Sequence, residues 1–382
     1  MRVCIVYDCL YPFTIGGAER WYRNLAERLA SRGHEVTFLT RRQWGRGDSP
    51  KVPGVHVVAV SPRMPLYANG KRRVLPPLLF GLGVLAHLLR HSRRYDVVHT
   101  GSFPYFSLLA AGAARRRGRF RLVVDWHELW TLEYWREYLG PLGGWIGWQI
   151  QSACLRVPQR AFCFSRLHER RLLEQNVRGT VTRLEGQYAQ PLDPAQRREA
   201  RPVVVFAGRH IPEKRVPALV PALAEARRQI PDLRGEIYGD GPERKAVLQA
   251  IAKAGLDGRI AAPGFVDANV LEEAVASALC VVLPSRREGY GLVVIEAAAR
   301  GVPVVVVEGP DNAAIELVAE GTNGAVAPSA SPADLAAAIV RVHTAGPELR
   351  ASTLEWFRRN AERLSLERSL QLVVREYASA DS

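Results

Sequence analysis

The sequence offers little material for several whole classes of protein. Its five cysteines (Cys4, Cys9, Cys154, Cys163, Cys280) contain no Cys-x-x-Cys pair, and three of them lie in apolar, strand-like runs. That scatter argues against a structural zinc site or disulfide framework and predicts small buried hydrophobes in a reducing compartment. No run reaches the length of a spanning helix: the longest apolar stretch, Val74–Leu89, covers 16 residues and carries Pro76 and Pro77 near its start, against the ~20 residues a bilayer requires. The opening MRVCIVYD enters a strand pattern at once, without the basic and apolar regions of a secretory signal. There is no 20–50-residue repeat, no low-complexity tract, and no RRM, KH or helix-turn-helix signature, so no nucleic-acid partner is expected. These absences predict a cytoplasmic protein, soluble or peripheral at the inner face of the cell membrane.

Acidic side chains are scarce in one half only. Residues 1–190 hold 29 basic and 13 acidic groups, a net of +16, whereas residues 191–382 hold 23 and 25, a net of −2. The whole excess in the formal +14 therefore sits in the first half and is expected to serve that half's partner.

Short β-branched runs alternate with longer amphipathic stretches, the pattern of repeated βα units and parallel sheets. One set of strands is predicted at Val3–Asp8, Glu35–Thr40, His56–Val60, Asp96–Thr100, Leu122–Trp126 and Ala161–Ser165. A second is predicted at Val203–Ala207, Gly235–Tyr238, Ile260–Phe265, Cys280–Pro284, Pro303–Val307 and Gly324–Ala327. Between the sets, Gln187–Pro202 contains Pro191, Pro194 and Pro202 and no apolar periodicity, and reads as a linker. The prediction is α/β, with two Rossmann-like doubly wound domains at 1–188 and 200–358 whose strand ends face a shared central cleft. The last segment, Ser365–Ala378 within 360–382, has helical spacing at Leu366, Leu370, Val373, Val374 and Tyr377 and is expected to pack back on the first domain as a closing helix.

Three loops carry chemistry. Gly16 and Gly17 separate the first strand from a helix pattern and let backbone N–H groups approach an anion; a flexible turn is the plain alternative. In VVVFAGRHIPEKR the strand ends at Gly208, and Arg209 and Lys214 follow as two cations suited to a diphosphate, one a fork and one a point charge; solvated surface cations are the plain alternative. In PSRREGYGLVVIEAAA, Glu288 lies in a turn flanked by Gly289 and Gly291, and Glu296 more than one helical turn later. Carboxylates on either side of an anion seat can accept hydrogen bonds from sugar hydroxyls. His127, in Asp125-Trp-His-Glu128, ends a first-domain strand and points at the same cleft.

Glu288 and Glu296 form an E-x7-E pair that resembles that of the GT-B glycosyltransferases, and its surroundings are similar to those of the family-four retaining enzymes. The resemblance extends over nearly the whole chain: the Gly16-Gly17 pair, the AGR…EK loop, Tyr238-Gly-Asp-Gly-Pro242, Gly264-Phe-Val266 and Glu288–Glu296. It implies a retaining transfer of a sugar from a nucleotide-diphosphate sugar, UDP- or GDP-linked, with no other cofactor. The same resemblance places Gly16, Gly17, Gly208, Arg209 and Lys214 at the donor phosphates. Glu288, Gly289, Tyr290, Gly291 and Leu292 would surround the sugar and phosphate, and Glu296 would hold the ribose. Val266 and Gly239 would border the base, and His127 the transferred sugar and the acceptor. Catalysis in such enzymes rests on His127, Glu288, Arg209 and Lys214 and on stabilising the leaving diphosphate. The chain has no D-x-D, so no obligatory metal is expected. Two departures stand out: Arg215 follows the lysine where glycine is usual, and Gly309-Pro-Asp-Asn-Ala replaces a Gly-Gly.

Five tryptophans between residues 126 and 148, namely Trp126, Trp130, Trp135, Trp145 and Trp148, adjoin Lys71-Arg-Arg73, Arg90, Arg93, Arg94 and Arg115-Arg-Arg117. Together they predict an interface with an anionic membrane and a glycan or lipid-linked acceptor. Core aromatics beneath an Arg-rich surface are the alternative.

Overall fold

The computed structural model describes residues 1–45, 47–68, 71–190 and 198–379; Pro191, Pro194 and residues 380–382 lie outside this set. Two units divide the chain, one of Met1–Glu185 with Ser369–Ser382, the other of Gly186–Arg368. The expected boundary at 188–200 thus falls earlier, and the stretch read as a linker belongs to the second unit. Its Tyr188 is buried and pairs with the chain's return pass, accepting from Leu366 N at 2.8 Å and donating to Leu364 O at 3.1 Å.

The first unit is built on seven strands in the order Val55–Ser61, Glu35–Arg41, Arg2–Val6, Val97–Gly101, Arg121–Trp126, Gln159–Cys163, Gly179–Arg183, with every neighbour parallel. Its central strands are buried nearly throughout, as parallel strands covered by helices must be. The seventh strand, GTVTR, was not predicted: it is an edge strand with Thr180 exposed, Val181 and Thr182 half-buried, and no apolar run to reveal it. The strand predicted at Ala161–Ser165 starts earlier and stops at Cys163, because Ser165 leaves the sheet to cap the helix Arg166–Glu174, its Oγ accepting from His168 N at 3.2 Å. Leu132–Leu155 is two helices meeting at Gly140 (φ 78°) and Pro141, where the missing N–H breaks the ladder.

The second unit holds six parallel strands in the order Ile260–Gly264, Arg234–Tyr238, Val203–Ala207, Cys280–Leu283, Val304–Val307, Gly324–Ala327. This is the doubly wound order that reverses direction beside its first strand. The core packs Val204, Phe206, Ile237, Val282 and Val305 against Leu219, Leu223, Leu335 and Ile339. Beyond it, Pro332–Leu364 is two helices meeting at Gly346 (φ 58°) and Pro347, and Leu366–Ala378 follows Ser365 as the terminal helix; residues 360–364 of the segment expected to pack back on the first domain instead close the second unit. From Ser369 onward the last helix belongs to the first unit. Among the described residues no helix is long and apolar enough to cross a membrane.

Candidate functional site

The second sheet reverses between Val203–Ala207 and Cys280–Leu283, and ligands of open parallel sheets bind beyond the strands' carboxyl ends at such a reversal. Two loops leave this point. The first runs through Gly208, the exposed Arg209 and the fully buried His210 to a short 3-10 turn, Pro212–Lys214. The second runs through Pro284 and Ser285 to a two-residue strand, Arg287–Glu288, which pairs in parallel with Asp311–Asn312.

These loops meet at Glu288. Lys214 donates from Nζ to Glu288 Oε1 at 2.5 Å, and Ser285 donates from Oγ to the same oxygen at 2.8 Å. Glu288 is only 8% exposed, so an ionised carboxylate there needs both partners. A backbone bond from Arg286 N to Glu213 O at 2.8 Å ties the loops together. Asn312 fixes the second loop, its Nδ2 donating to Ser285 O (3.2 Å) and Val307 O (2.7 Å) and its Oδ1 accepting from Ala314 N (3.1 Å). The Gly309-Pro-Asp-Asn-Ala departure therefore contains the residue that clamps Glu288's loop.

Glycines shape the neighbouring turn. Gly239 and Gly241 adopt φ of 108° and 155°, and a Cβ on them would lie 2.0 Å from Gly208 O and 2.4 Å from His210 O. Only glycine permits two backbones to approach so closely, and bonds from Gly208 N to Tyr238 O (3.2 Å) and His210 N to Asp240 O (2.8 Å) hold them there. Arg215, where glycine is usual, stands at φ 49°, in the left-handed region. Burial lowers the His210 imidazole below its ordinary pKa, against the opposing pull of the Tyr238 carbonyl and Asp240.

The remaining predicted residues spread along the same edge. Gly289 and Tyr290 form the turn and Gly291 caps the seven-residue helix Leu292–Ala298. Glu296, half-buried, sits in its second turn, and its carbonyl accepts from Arg300 Nη1 at 2.8 Å. Val266 lies partly exposed beyond Ile260–Gly264. The pair of cations expected past the strand end is one exposed guanidinium, Arg209, and one ammonium already bonded to Glu288.

In the first unit, helix Gly17–Ser31 opens at Gly16, whose backbone is extended and lacks a side-chain cap. Glu19 folds over it, its Oε2 2.3 Å from where a Gly16 Cβ would stand, while Gly17 faces open space. His127 follows strand Arg121–Trp126. Its ring stacks on Phe164 (4.6 Å, 3°) and meets Tyr22 edge-on (5.8 Å). Its Nε2 is buried with no hydrogen-bond partner among the described residues. Burial lowers its pKa, against the pull of Asp125 and Glu128, and favours the neutral ring.

Beneath it runs a fully buried chain that the sequence reading missed. Tyr377 Oη lies 2.6 Å from His99 Nδ1, His99 Nε2 lies 2.8 Å from Asp125 Oδ1, and Trp21 Nε1 donates to Asp125 Oδ2 at 2.7 Å. Burial alone would lift the Asp125 carboxyl, but His99, His127 and the Trp21 N–H more than offset it and hold it below the usual range. Tyr377 comes from the last helix, which is further fastened by Arg121 Nη1 on Tyr377 O (2.5 Å) and Arg160 Nη2 on Ser379 O (3.0 Å).

Most of the tryptophan cluster packs internally, as in the alternative given above. Trp126 and Trp135 are buried in the core, and Trp130 packs among Trp135 (4.6 Å), Tyr134 (4.7 Å) and Tyr138 (5.3 Å). Of the five only Trp145 is exposed, beside Leu139, Leu142 and Ile146, because the Gly140–Pro141 break turns that stretch outward.

Residues 16–185 match the model of a glycosyl transferase 4-like domain, and residues 201–345 match that of glycosyl transferases group 1. The chain is 34% identical to an alpha-D-kanosaminyltransferase from Streptomyces kanamyceticus over 155 residues, which is 41% of this chain and only 39% of that protein. It is 29% identical to a D-inositol 3-phosphate glycosyltransferase from Geodermatophilus obscurus, across 96% of this chain and 85% of that one. Among solved structures it resembles Anabaena HepE in complex with UDP-glucose, with a TM-score of 0.75, 18% identity and full coverage of both chains, a likeness of fold.

Proposed function

The chain belongs to the GT-B glycosyltransferases of the family-four type, and from that premise we propose that it transfers a sugar from a nucleotide-diphosphate donor, with retention, to an acceptor hydroxyl. The observation that carries this reading is the buried Lys214–Glu288–Ser285 cluster at the reversal point of the second sheet. Both bonds on Glu288 fall on Oε1, which leaves Oε2 as the oxygen for a donor-sugar hydroxyl. An ammonium has three N–H bonds, so Lys214 retains donors for a phosphate while bonded to Glu288. Arg209, exposed past the strand end, supplies the second charge on the leaving diphosphate. Gly208 and the Gly239 turn bring bare backbone to the donor, Glu296 takes the ribose diol and Val266 borders the base. On the resemblance alone, Gly16 and Gly17 are assigned to the donor phosphates and the neutral His127 ring to the transferred sugar. A UDP-sugar is the first donor to try, since HepE binds UDP-glucose on the same fold.

For the acceptor, the first reading is a lipid-linked or other envelope glycan precursor at the inner face of the cell membrane. Its support is two sets of exposed apolar side chains, Leu139, Leu142, Trp145 and Ile146 in one stretch and Leu75, Leu82 and Leu89 on helix Leu75–His91, in the unit that also exposes Arg90, Arg93, Arg94, Arg116 and Arg117. The second is a small-molecule acceptor, favoured by the internal packing of Trp126, Trp130 and Trp135 and by a relative named for inositol 3-phosphate.

Donor hydrolysis and transfer measured with UDP- and GDP-sugars test the core reading. Lys214→Ala and Glu288→Gln are each expected to cut turnover at least a hundredfold, and unaffected transfer in both refutes the site. Flotation with anionic vesicles separates the acceptors: the membrane reading requires binding that salt removes, and its absence leaves the small acceptor.

A further inference from the structure

One cleft stands apart from the residues assigned above. It lies where strands Glu35–Arg41 and Val55–Ser61 end, has a volume of about 680 Å³, and is lined by Arg42, Trp44, Gly45, Ser61, Pro62 and Arg63 among others. Its two rims are drawn together by a bond from Arg42 N to Ser61 O at 3.0 Å. Arg42 and Arg63 are both exposed, one from each rim. Trp44 is held nearly buried, 8% exposed, and Phe13 braces its ring at 5.7 Å. The neighbouring Gln43 Oε1 accepts from Thr14 Oγ1 at 2.7 Å, which ties the cleft wall to the loop leading into Gly16. The nearby acid is Asp48, whose Oδ2 lies 2.8 Å from where a Cβ on Gly45 would stand.

Two guanidiniums beside an indole and an apolar floor of Ala59, Val60 and Pro62 suit a group that carries an anion next to a ring or carbon skeleton. Guanidinium grips phosphate oxygens in pairs. The cleft also shares the carboxyl edge of the parallel sheet with His127, three strand spacings away through Arg2–Val6 and Val97–Gly101. At about 4.8 Å per spacing that is roughly 14 Å along the sheet edge.

We propose that this cleft seats a phosphate of the acceptor, so that the acceptor class is a phosphate-bearing glycan or polyol whose reacting hydroxyl reaches His127. The inference rests on the reading that the first unit takes the acceptor. It places the basic excess of that unit to use at defined residues, and it assigns Arg42 and Arg63 a role in specificity rather than in the transfer step.

Titration of inorganic phosphate into the full chain at constant ionic strength, followed by tryptophan fluorescence, tests it without donor or acceptor. A saturable change is expected that Trp44→Phe abolishes, that Arg42→Ala/Arg63→Ala weakens at least tenfold, and that Asp48→Asn strengthens. Arg42→Lys/Arg63→Lys is expected to fall between, and unchanged melting curves show that the variants fold. A response that survives in Trp44→Phe, or is equal in the double alanine variant, overturns the proposal, as does no response in the unmodified chain. Glycerol 3-phosphate and vesicles containing phosphatidic acid then compete for the signal: competition by the first identifies a soluble phosphate ester, and by the second alone a lipid headgroup. In transfer assays the double alanine variant is expected to raise the KM for a phosphorylated acceptor tenfold or more with a smaller change in kcat, and an unchanged KM overturns the acceptor assignment. Failure of phosphate binding strikes the cleft alone, whereas failure of the Lys214 and Glu288 variants strikes the glycosyl-transfer site.

Discussion

Asp125→Ala probes the buried chain in the first unit most severely. The carboxylate has no exposure, and neither has its partner His99. Truncation removes the acceptor for both the His99 N–H and the Trp21 N–H, and nothing solvates either donor. Leaving two buried donors without an acceptor costs about 1–3 kcal/mol each, and because the two losses share one group the total expected is about 3–5 kcal/mol. For a unit of this size each kcal/mol moves the midpoint by about 2–4 °C, so the first unit's transition is expected to drop by roughly 6–20 °C. Differential scanning calorimetry reads this directly, with the second unit's transition as internal reference. Asp125→Asn keeps one good acceptor and is expected to recover part of the loss. Tyr377→Phe alone removes one buried hydrogen bond, about 1–2 kcal/mol. Combined with Asp125→Ala it is expected to fall short of the sum by at least about 0.5 kcal/mol, since His99 joins the two. A drop under about 1 kcal/mol for Asp125→Ala, or strict additivity with Tyr377→Phe, refutes a single coupled chain.

Further outcomes follow from other residues. Arg215→Gly is expected to stabilise the second unit by about 0.5–1 kcal/mol, because the left-handed backbone costs an arginine about 1–2 kcal/mol and the extra freedom of glycine in the unfolded chain returns part of that; Arg215→Ala, measured in the same urea titration, is expected to gain nothing. Asn312→Ala strips donors from the carbonyls of Ser285 and Val307, and is expected to cost about 1–3 kcal/mol and to raise the donor KM by loosening Glu288's loop. Stability of the first unit is expected to climb as pH rises through the acid range. Burial pushes His87 down to about 4 and lowers His127, so the unfolded chain binds more protons up to the ordinary value near 6.5, and the depressed Asp125 acts in the same direction at lower pH. Denaturant midpoints at pH 4.5, 5.5 and 7.5 check the sign, and a flat or falling trend contradicts it.

Strands of the central sheet were legible because parallel strands covered on both faces are nearly continuous apolar runs, and Val203–Ala207 and Gly324–Ala327 were placed to the residue. The edge strand Gly179–Arg183 escaped because half of it faces water and its pattern is that of a loop. At the site, Glu288 and Lys214 were visible as residue types at a spacing. Their direct bond was not, because it joins loops 74 residues apart that only the strand order brings together. His99, Asp125 and Tyr377 were hidden for a different reason: His99 and Asp125 sit in otherwise apolar strands and Tyr377 was visible only as a core-facing position of the last helix, and the polar group of each reveals its meaning only with its partner. The aromatic cluster misled in the opposite direction, since composition carries no sign for inside or outside, and only the Gly140–Pro141 break decides that Trp145 turns outward.

The division of the chain has a consequence for its biosynthesis. The second unit is one continuous segment, whereas the first is interrupted and recovers its final helix only from Ser369 onward. On a ribosome the order of completion is therefore inverted relative to the usual N-terminal-first sequence. The nascent first unit, with His99 lacking the Tyr377 hydroxyl and Arg160 lacking its carbonyl partners, must wait while all of Gly186–Arg368 is made and can fold ahead of it. A stall or early stop in the last helix would release a chain whose later-made half is finished and whose earlier-made half is not.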